Sequence, residues 1–324
     1  MDISYNELWA GKTPLVSVIT AVYNNEDTLL SAMSSIKGQT FQDLEYIVVN
    51  DGSTQNLDSI VQDFMGKVDF PMCYIKKENG GVHTARNCAI KFTRGKLLLI
   101  LDGDDEFVPD ALEEFLKAWN QIPKEKVDEY REVVALCKNE KGKQIGIAWP
   151  EDINQRPWEE IDRVRKLPKY CSEHTALMRC DLMRSHPWPE AEGVTFVRES
   201  LLWKILDKKY KKWYLNKCLR IYHTNSVDSL SKRKKRSVQH CINELFQCQY
   251  LANNYSDYEL GIKSRFMMIM RHEMYRQVLR KKDSLPEYEW VREGLTGWLN
   301  NTMSLVARFP AVLLAECFIN KRME

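Results

Sequence analysis

The sequence lacks an apolar run long enough to cross a membrane. A spanning helix needs about 20 consecutive, mostly apolar residues, and Arg308, Pro310 and Glu316 interrupt the apolar stretch 302–320 of this 324-residue chain. The first residues also lack the basic start and apolar core of a secretory signal peptide. We therefore expect a cytoplasmic protein, and we leave open a peripheral contact with the inner face of the cytoplasmic membrane.

A cysteine framework and a strong net charge are also missing. The nine cysteines are scattered without a CxxC pair, which favours a reducing compartment over a disulfide scaffold. The net charge is only +2, so nothing in the overall charge drives binding to nucleic acid. Basic runs do lie in the C-terminal half, at 208–212, 232–236 and 280–282. Such runs are commonly solvated helix faces, or they face anionic lipid or a phosphate-bearing acceptor.

Short β-rich runs alternate with helical patterns in the first 120 residues. The predicted strands are 15–20, 45–49, 72–75 and 97–101, and the predicted helices are 27–37, 56–65, 82–92 and 110–119. This alternation predicts a parallel α/β sheet with nucleotide-binding potential. The middle, roughly 130–225, is predicted to be mixed α+β, and helical patterns follow from about 237, including 287–300 and 302–320. The last of these could dock on the main domain, dimerise or lie on a membrane surface.

Four apolar residues lead directly into three carboxylates at Leu98-Leu99-Ile100-Leu101-Asp102-Gly103-Asp104-Asp105. The apolar run is typical of a buried parallel strand, and open α/β sheets bind ligands at the carboxyl ends of such strands. Crowded carboxylates repel one another unless a cation neutralises them. Mg²⁺ is often bound by one or two carboxylates plus substrate phosphates. The segment therefore indicates either a metal site for a phosphorylated substrate or a solvated acidic turn.

Three further segments follow predicted strands and suit a nucleotide. Residues 18–24 leave a strand into a loop, and 48–53 end in Asp51, which could accept a hydrogen bond from a base. In 78–87, Gly80-Gly81 allows close backbone approach, and Arg86 can clamp a diphosphate with its planar guanidinium. Each segment alone is a weak signal, because Asn-Gly-Gly is commonly just a turn.

Together, in this order and spacing, these segments resemble the N-terminal domain of family 2 glycosyltransferases, which have a GT-A fold. The resemblance covers residues 14 to about 115, including the helix end Ile36-Lys37-Gly38-Gln39-Thr40. About 100 further residues match more loosely, through Arg198-Glu199-Ser200-Leu201-Leu202-Trp203 and Tyr222-His223-Thr224-Asn225-Ser226. It implies an α/β GT-A fold, a Rossmann-like mixed sheet flanked by helices with a helical C-terminal extension. The expected parts are a nucleotide-sugar-binding half at 1–120, an acceptor-binding half at 121–236 and a helical region at 237–324.

The resemblance also implies roles at the donor site. Asp51 would bind the base, uracil, in a pocket lined by Ala21 and Tyr23, and Arg86 would lie near the diphosphate. Asp102-Gly103-Asp104 would be the DxD motif that contacts ribose and a Mn²⁺ or Mg²⁺ ion, with Asp105 beside it. Ala21 stands where the family usually has proline.

On the acceptor side, the resemblance makes Glu199 the general base. It makes His223 a candidate for metal or phosphate contact, and Glu173-His174 resembles an acceptor-side pair of some members. The family commonly has two acids where this chain has Arg198-Glu199, so Glu199 is the carboxylate of this motif that remains as base.

The implied function is inverting transfer of a sugar from a nucleotide donor, expected to be a UDP-sugar. The expected acceptor is a hydroxyl of a saccharide or lipid-linked saccharide in surface polysaccharide or glycolipid synthesis. Homodimerisation is left open. One alternative is a non-catalytic GT-A-like scaffold, against which the intact Asp51, Asp102, Asp104 and Glu199 argue. The other is a sugar nucleotidyltransferase, which would be expected to carry a basic glycine-rich phosphate loop where residues 21–25 have none.

Overall fold

A computed structural model describes residues 1–170, 172–223, 237–254 and 261–284, together with 304, 306–307, 310–312 and 314–315. The expectations for 224–226, 232–236 and 287–300, and for most of 302–320, lie outside the described residues. Among the helices that can be described, none combines the length and the apolar character needed to cross a membrane.

In the described part of the chain, ten strands form one mixed sheet. Their order across the sheet is β1-β4-β3-β2-β5-β9-β7-β10-β6, and β8 pairs with β7. The strands are β1 (Asp2–Tyr5), β2 (Val16–Val22), β3 (Leu44–Asp51), β4 (Met72–Lys77), β5 (Leu97–Ile100), β6 (Glu106–Phe107), β7 (Tyr130–Asn139), β8 (Gln144–Ile145), β9 (His174–Arg179) and β10 (Lys211–Tyr222). The central four, β4-β3-β2-β5, are parallel.

Helices follow the strands of the first half, as the alternation predicts. The α-helices of the described chain are α1 (Glu26–Lys37), α2 (Leu57–Met65), α3 (Val82–Phe92), α4 (Ala111–Trp119), α5 (Trp158–Arg165), α6 (Cys180–Ser185), α7 (Ser200–Lys209), α8 (Val238–Asn253) and α9 (Ile262–Lys281). All four strands and all four helices predicted before residue 120 are confirmed, with no end shifted by more than two residues.

Burial explains why these strands are central. Every residue of β3 is buried, and six of seven in β2, which is the pattern of strands covered on both faces. The register pairs Val22 with Asn50, so β2 and β3 end side by side, and β5 runs parallel on the other side of β2. The loops after β2, β3 and β5 therefore leave the sheet at the same edge.

Two compact units divide the chain. The first comprises Met1–Pro187 and Leu206–Val227 and contains the whole sheet. The second comprises Trp188–Ile205 and Asp228–Glu324 and contains α8 and α9, which pack through a cluster that includes Leu245, Val278 and Leu279. The expected domain boundaries at 120 and 236 stay predictions.

Candidate active site

Asp51, the last residue of β3, organises the turn before α3. Its side chain is buried, and its Oδ1 accepts hydrogen bonds from Lys77 Nζ (2.6 Å) and from the backbone N–H of Gly80 (3.0 Å). Its Oδ2 accepts the N–H of Gly81 at 2.7 Å. Asp51 thereby fixes the Gly80-Gly81 turn from which α3 starts. The predicted contact between Asp51 and a base stays a prediction.

Glycines are required at two positions beside Asp51, Gly52 after β3 and Gly81 before α3. Gly52 has φ +72°, and a Cβ there would lie 2.6 Å from the backbone N of Asn79. Gly81 has φ +91°. Both φ values fall in the region that glycine adopts without a steric penalty, so the two backbones can approach closely beside Asp51. Tyr23, just after β2, lies at the same edge and is partly exposed.

The acidic loop after β5 is held by two arginines. Arg86, buried on α3, donates from Nη2 to Asp102 Oδ1 at 2.7 Å. Arg220, buried on β10, has Nη1 at 3.8 Å from Asp102 Oδ2 and at 3.4 Å from Asp105 Oδ2. Burial alone would raise the pKa of Asp102, but the charges of Arg86 and Arg220 outweigh it and hold that pKa below its ordinary value. Asp102 is therefore ionised at neutral pH.

The three carboxylates of the loop differ in environment. Asp105 is 1% exposed, and its Oδ1 accepts the backbone N–H of His223 at 3.1 Å. Burial raises the pKa of Asp105 to about 7, opposed by Arg220 and reinforced by the charge of Asp102. The Asp102 side chain keeps 37% of its surface exposed, and Asp104 is half-buried. Asp105 thus shapes the loop from inside, while Asp102 and Asp104 remain accessible.

Sequence reasoning missed Arg220, which lies near two carboxylates of this loop, Asp102 and Asp105. Besides the two aspartates, Arg220 Nη2 lies 3.2 Å from Glu173 Oε2. The available signal was one arginine inside the apolar run Leu219-Arg220-Ile221, because a charge buried in a strand needs a partner. Lys77, which binds Asp51, was missed as well.

His223 lies beside the loop, but its ring has another partner. Its Nε2 is 3.0 Å from Glu106 Oε1, across the antiparallel pairing of β10 with β6. Within the residues that can be described, no three His, Cys, Asp or Glu side chains are grouped to hold a metal. The expected ligand set of Asp102, Asp104 and His223 is therefore not preassembled and stays a prediction.

The two residues of the expected acceptor pair have different surroundings. Glu173 joins the acidic loop through Arg220, whereas the ring of His174 stacks on Trp149 at 4.7 Å between centroids. Burial, together with the charges of Lys212 and Arg220, lowers the pKa of His174 to about 4. His174 is therefore neutral at physiological pH.

Glu199 belongs to the second unit and lies directly before the first residue of α7. Its carbonyl oxygen accepts the N–H groups of Leu202 (2.9 Å) and Trp203 (3.2 Å). Its side chain is exposed, and Oε2 lies 3.4 Å from the indole N–H of Trp203. An exposed carboxylate can be reached by an acceptor hydroxyl, and the assignment of Glu199 as base stays a prediction.

The acidic loop at the carboxyl end of a parallel strand lies where open α/β sheets bind their ligands, and comparison with known proteins identifies the class of protein. Residues 17–185, about half of the chain, match Glycosyl transferase family 2. The chain belongs to this family.

The relatives of this chain differ in the share of their length that matches it. An uncharacterized glycosyltransferase of Rickettsia prowazekii is 37% identical over 125 residues, 39% of this chain and 36% of the relative. The chain therefore spans about a third of the first curated relatives it matches. A Campylobacter jejuni protein named GalNAc(5)-diNAcBac-PP-undecaprenol beta-1,3-glucosyltransferase is 27% identical over 224 residues, 67% of each chain.

Solved structures show the same fold. The crystal structure of S. aureus TarS 1–349 in complex with UDP-GlcNAc covers 95% of this chain, with 92% of its own length matched, at a TM-score of 0.52 and 16% identity. The expected α/β fold of GT-A type is confirmed.

Proposed function

We propose that this protein is an inverting, metal-dependent glycosyltransferase. It transfers a sugar from a UDP-sugar to a hydroxyl of a saccharide or lipid-linked saccharide in surface polysaccharide or glycolipid synthesis. The observation that carries the proposal is the acidic loop after β5, where the ionised Asp102 is paired with the buried Arg86 and Asp104 stays accessible.

The choice of donor and acceptor is supported by relatives. The TarS structure contains UDP-GlcNAc, and the Campylobacter relative is named for a glucosyl transfer to an undecaprenyl diphosphate-linked saccharide. A lipid-linked acceptor would place the protein at the inner face of the cytoplasmic membrane. The exposed lysines near the end of α7, Lys208 and Lys209, suit an anionic surface there.

The accessible carboxylates fit a divalent ion. Oxygen ligands suit Mg²⁺ and Mn²⁺, and one or two carboxylates are enough when substrate phosphates complete the coordination. Asp102 and Asp104 would hold the ion together with the donor diphosphate. When bound, the ion would neutralise the charge of the leaving nucleoside diphosphate.

The chain's own side chains would assist the transfer at two further points. Arg86 and Arg220 add positive charge beside the acidic loop, which favours the developing charge of the diphosphate. The oxygen of the acceptor hydroxyl bonds to the anomeric carbon while the bond from that carbon to the diphosphate breaks. Glu199 takes the proton of this hydroxyl. Attack from the face opposite the diphosphate inverts the anomeric centre.

Incubation with a panel of sugar nucleotides, with Mn²⁺ or with EDTA, tests the proposal. We expect donor hydrolysis or transfer that EDTA abolishes and that Asp104→Asn lowers by about 100-fold or more, in the range of lost electrostatic stabilisation. Asp63→Asn, an exposed change on α2, is the matched control.

Two other outcomes would overturn the proposal. Neither binding nor turnover with any donor would favour a non-catalytic scaffold. Formation of a sugar nucleotide from a sugar phosphate and a nucleoside triphosphate would favour a nucleotidyltransferase.

A further inference from the structure

One side of α8 carries amide side chains at four-residue spacing. Gln239, Asn243 and Gln247 recur at i, i+4 and i+8, which places them along a single side of the helix. Asn243 is 7% exposed and Gln247 is 1% exposed. Buried amides are costly unless they are hydrogen-bonded, so this side of α8 needs polar partners.

The first two amides bind the segment 193–198 of the same unit. Gln239 donates from Nε2 to the carbonyl oxygen of Gly193 at 2.7 Å. Asn243 Oδ1 accepts the backbone N–H of Thr195 at 3.0 Å. The amides also bind each other, since Gln239 Nε2 lies 3.1 Å from Asn243 Oδ1.

The third amide reaches the residue just before Glu199. Gln247 Oε1 accepts the backbone N–H of Arg198 at 2.9 Å, and the Glu244 carboxylate pairs with the Arg198 guanidinium. Glu244 is itself buried, so both groups that hold Arg198 come from the interior side of α8. We call Gln239, Asn243 and Gln247 the amide ladder.

The segment 193–198 needs the ladder because it forms neither helix nor strand. Its backbone groups have no sheet partner, and the ladder supplies side-chain partners in place of a neighbouring strand. Val194 and Val197, which alternate with the bonded residues, are buried at 3% and 1%. The backbone that enters Glu199 is therefore fixed on two sides.

We infer that the amide ladder of α8 positions Glu199 for catalysis, so that α8 belongs to the residues that orient the base. The inference rests on the proposed function, in which Glu199 is the general base. The exposed Glu199 side chain follows directly on the Arg198 backbone that the ladder holds, and Trp203 Nε1 lies 3.4 Å from its Oε2, so its direction depends on this backbone as well as on Trp203. A base displaced by about 1 Å loses on the order of 100-fold in rate.

Two variants each remove one amide of the ladder, and a third variant serves as the control. Gln247→Met and Asn243→Leu keep side-chain size but lose the acceptor oxygen. Gln249→Met is the matched control, because Gln249 is also buried on α8 but lies about 200° around the helix from Gln247. We expect Gln247→Met and Asn243→Leu each to lower kcat by about 10- to 100-fold, with the donor KM changed less than about twofold. The control should keep kcat.

A double variant separates positioning from general damage. In the Glu199→Gln background, Gln247→Met should cause little further loss of kcat, because the group that it positions is already gone. Hydrogen exchange at the amide of Arg198 should speed up in Gln247→Met and stay slow in Gln249→Met.

The outcomes are distinct. Faster exchange with unchanged kcat in an active enzyme would overturn the inference and leave the proposed function intact. Equal kcat losses with and without Glu199 would also overturn it, because they indicate a structural role alone. A wild type without turnover on any donor would overturn the proposed function, and the inference with it.

Discussion

At the scale of single residues, the predicted site side chains have protein partners that the sequence does not reveal. Asp51 was expected to accept a hydrogen bond from the base; in the structure it accepts hydrogen bonds from Lys77, Gly80 and Gly81, and its contact with a base stays a prediction. Those donors come from β4 and the following turn, 26 to 30 residues later. A carboxylate after a strand is readable in the sequence, whereas its donors depend on how β3 and β4 pair.

Replacing Asp51 should weaken both the fold and the binding of donor. In Asp51→Asn one oxygen becomes an NH₂ group that faces an N–H or the Lys77 ammonium, so a buried charged hydrogen bond is lost. We expect a loss of about 2–3 kcal/mol in the free energy of unfolding, measured by urea denaturation.

Asp63→Asn is the control for this change, because Asp63 forms an exposed ion pair with Lys67. Its loss should stay below about 1 kcal/mol. Equal losses in the two variants would contradict the role of Asp51 in the turn.

His174 should make the protein sensitive to acid. Its pKa of about 4 in the folded state lies below the ordinary value near 6.5, so the unfolded chain binds its proton more readily. The stability that the neutral ring provides is present above about pH 6.5 and is lost as the pH falls towards 4. We expect wild type to lose about 2 kcal/mol more than His174→Gln between neutral pH and pH 4.5 or so.

Urea unfolding of both proteins at the two pH values gives this difference. His186→Gln, a change outside the Trp149 stack, controls for removal of a histidine. An identical pH dependence of wild type and His174→Gln would contradict the expected depressed pKa.

At the scale of elements, the sequence predicted individual helices and strands better than the pairing of distant strands. Helices at 27–37 and 82–92 and strands at 45–49 and 97–101 follow from periodicity and are confirmed. The antiparallel insertion of β9 between β5 and β7 could not be predicted, because β9 pairs with residues about 80 positions earlier in β5. For the same reason Arg220, which reaches the acidic loop from β10, was visible only as an isolated charge in an apolar run.

An ion pair with a buried carboxylate ties β2 and β3 to the connection between α3 and β5. Glu45, fully buried on β3, accepts Ser17 Oγ from β2 at 2.6 Å and Arg94 Nε at 2.7 Å. Glu45→Gln leaves the Arg94 guanidinium without its anion inside the protein. We expect a loss of about 3 kcal/mol in the free energy of unfolding, as for other broken buried pairs.

The double variant Glu45→Gln with Arg94→Gln tests the pairing. It should cost less than the sum of the single changes, because neither charge is then left alone. Asp43→Asn, which removes an exposed pair with Lys12, should cost less than about 1 kcal/mol. Simple additivity in the double variant would show that Glu45 and Arg94 stabilise the fold independently.

At the scale of the whole molecule, the residues given roles in the proposed function divide between the two units. The acidic loop and its arginines belong to the first unit, while Glu199 and the amide ladder belong to the second. The sequence suggested a separate helical region but not its link to Glu199, because the bonds from α8 join residues 48 or 49 positions apart. The binding of ligands, by contrast, can be argued from the first unit.

Metal and nucleotide should bind this protein cooperatively. Asp102 and Asp104 are two accessible carboxylates, and the part of the chain that can be described holds no group of three metal-binding side chains. An ion held by one or two carboxylates usually completes its coordination with waters and substrate phosphates, so the diphosphate of the nucleotide would supply further oxygens. Binding of the ion and of UDP should therefore strengthen each other by about 1–3 kcal/mol, and by the same factor in both directions.

Thermal unfolding with each ligand alone and with both together measures this coupling. Mn²⁺ alone should barely move Tm, whereas UDP at about 100 times its Kd should stabilise by ~2.7 kcal/mol, and Mn²⁺ should then raise Tm by a few degrees more. Asp104→Asn should lose the additional shift and keep the part due to UDP alone. A full shift with Mn²⁺ alone would mean that the protein forms the metal site without the donor, and the acidic loop would then have ligands beyond Asp102 and Asp104.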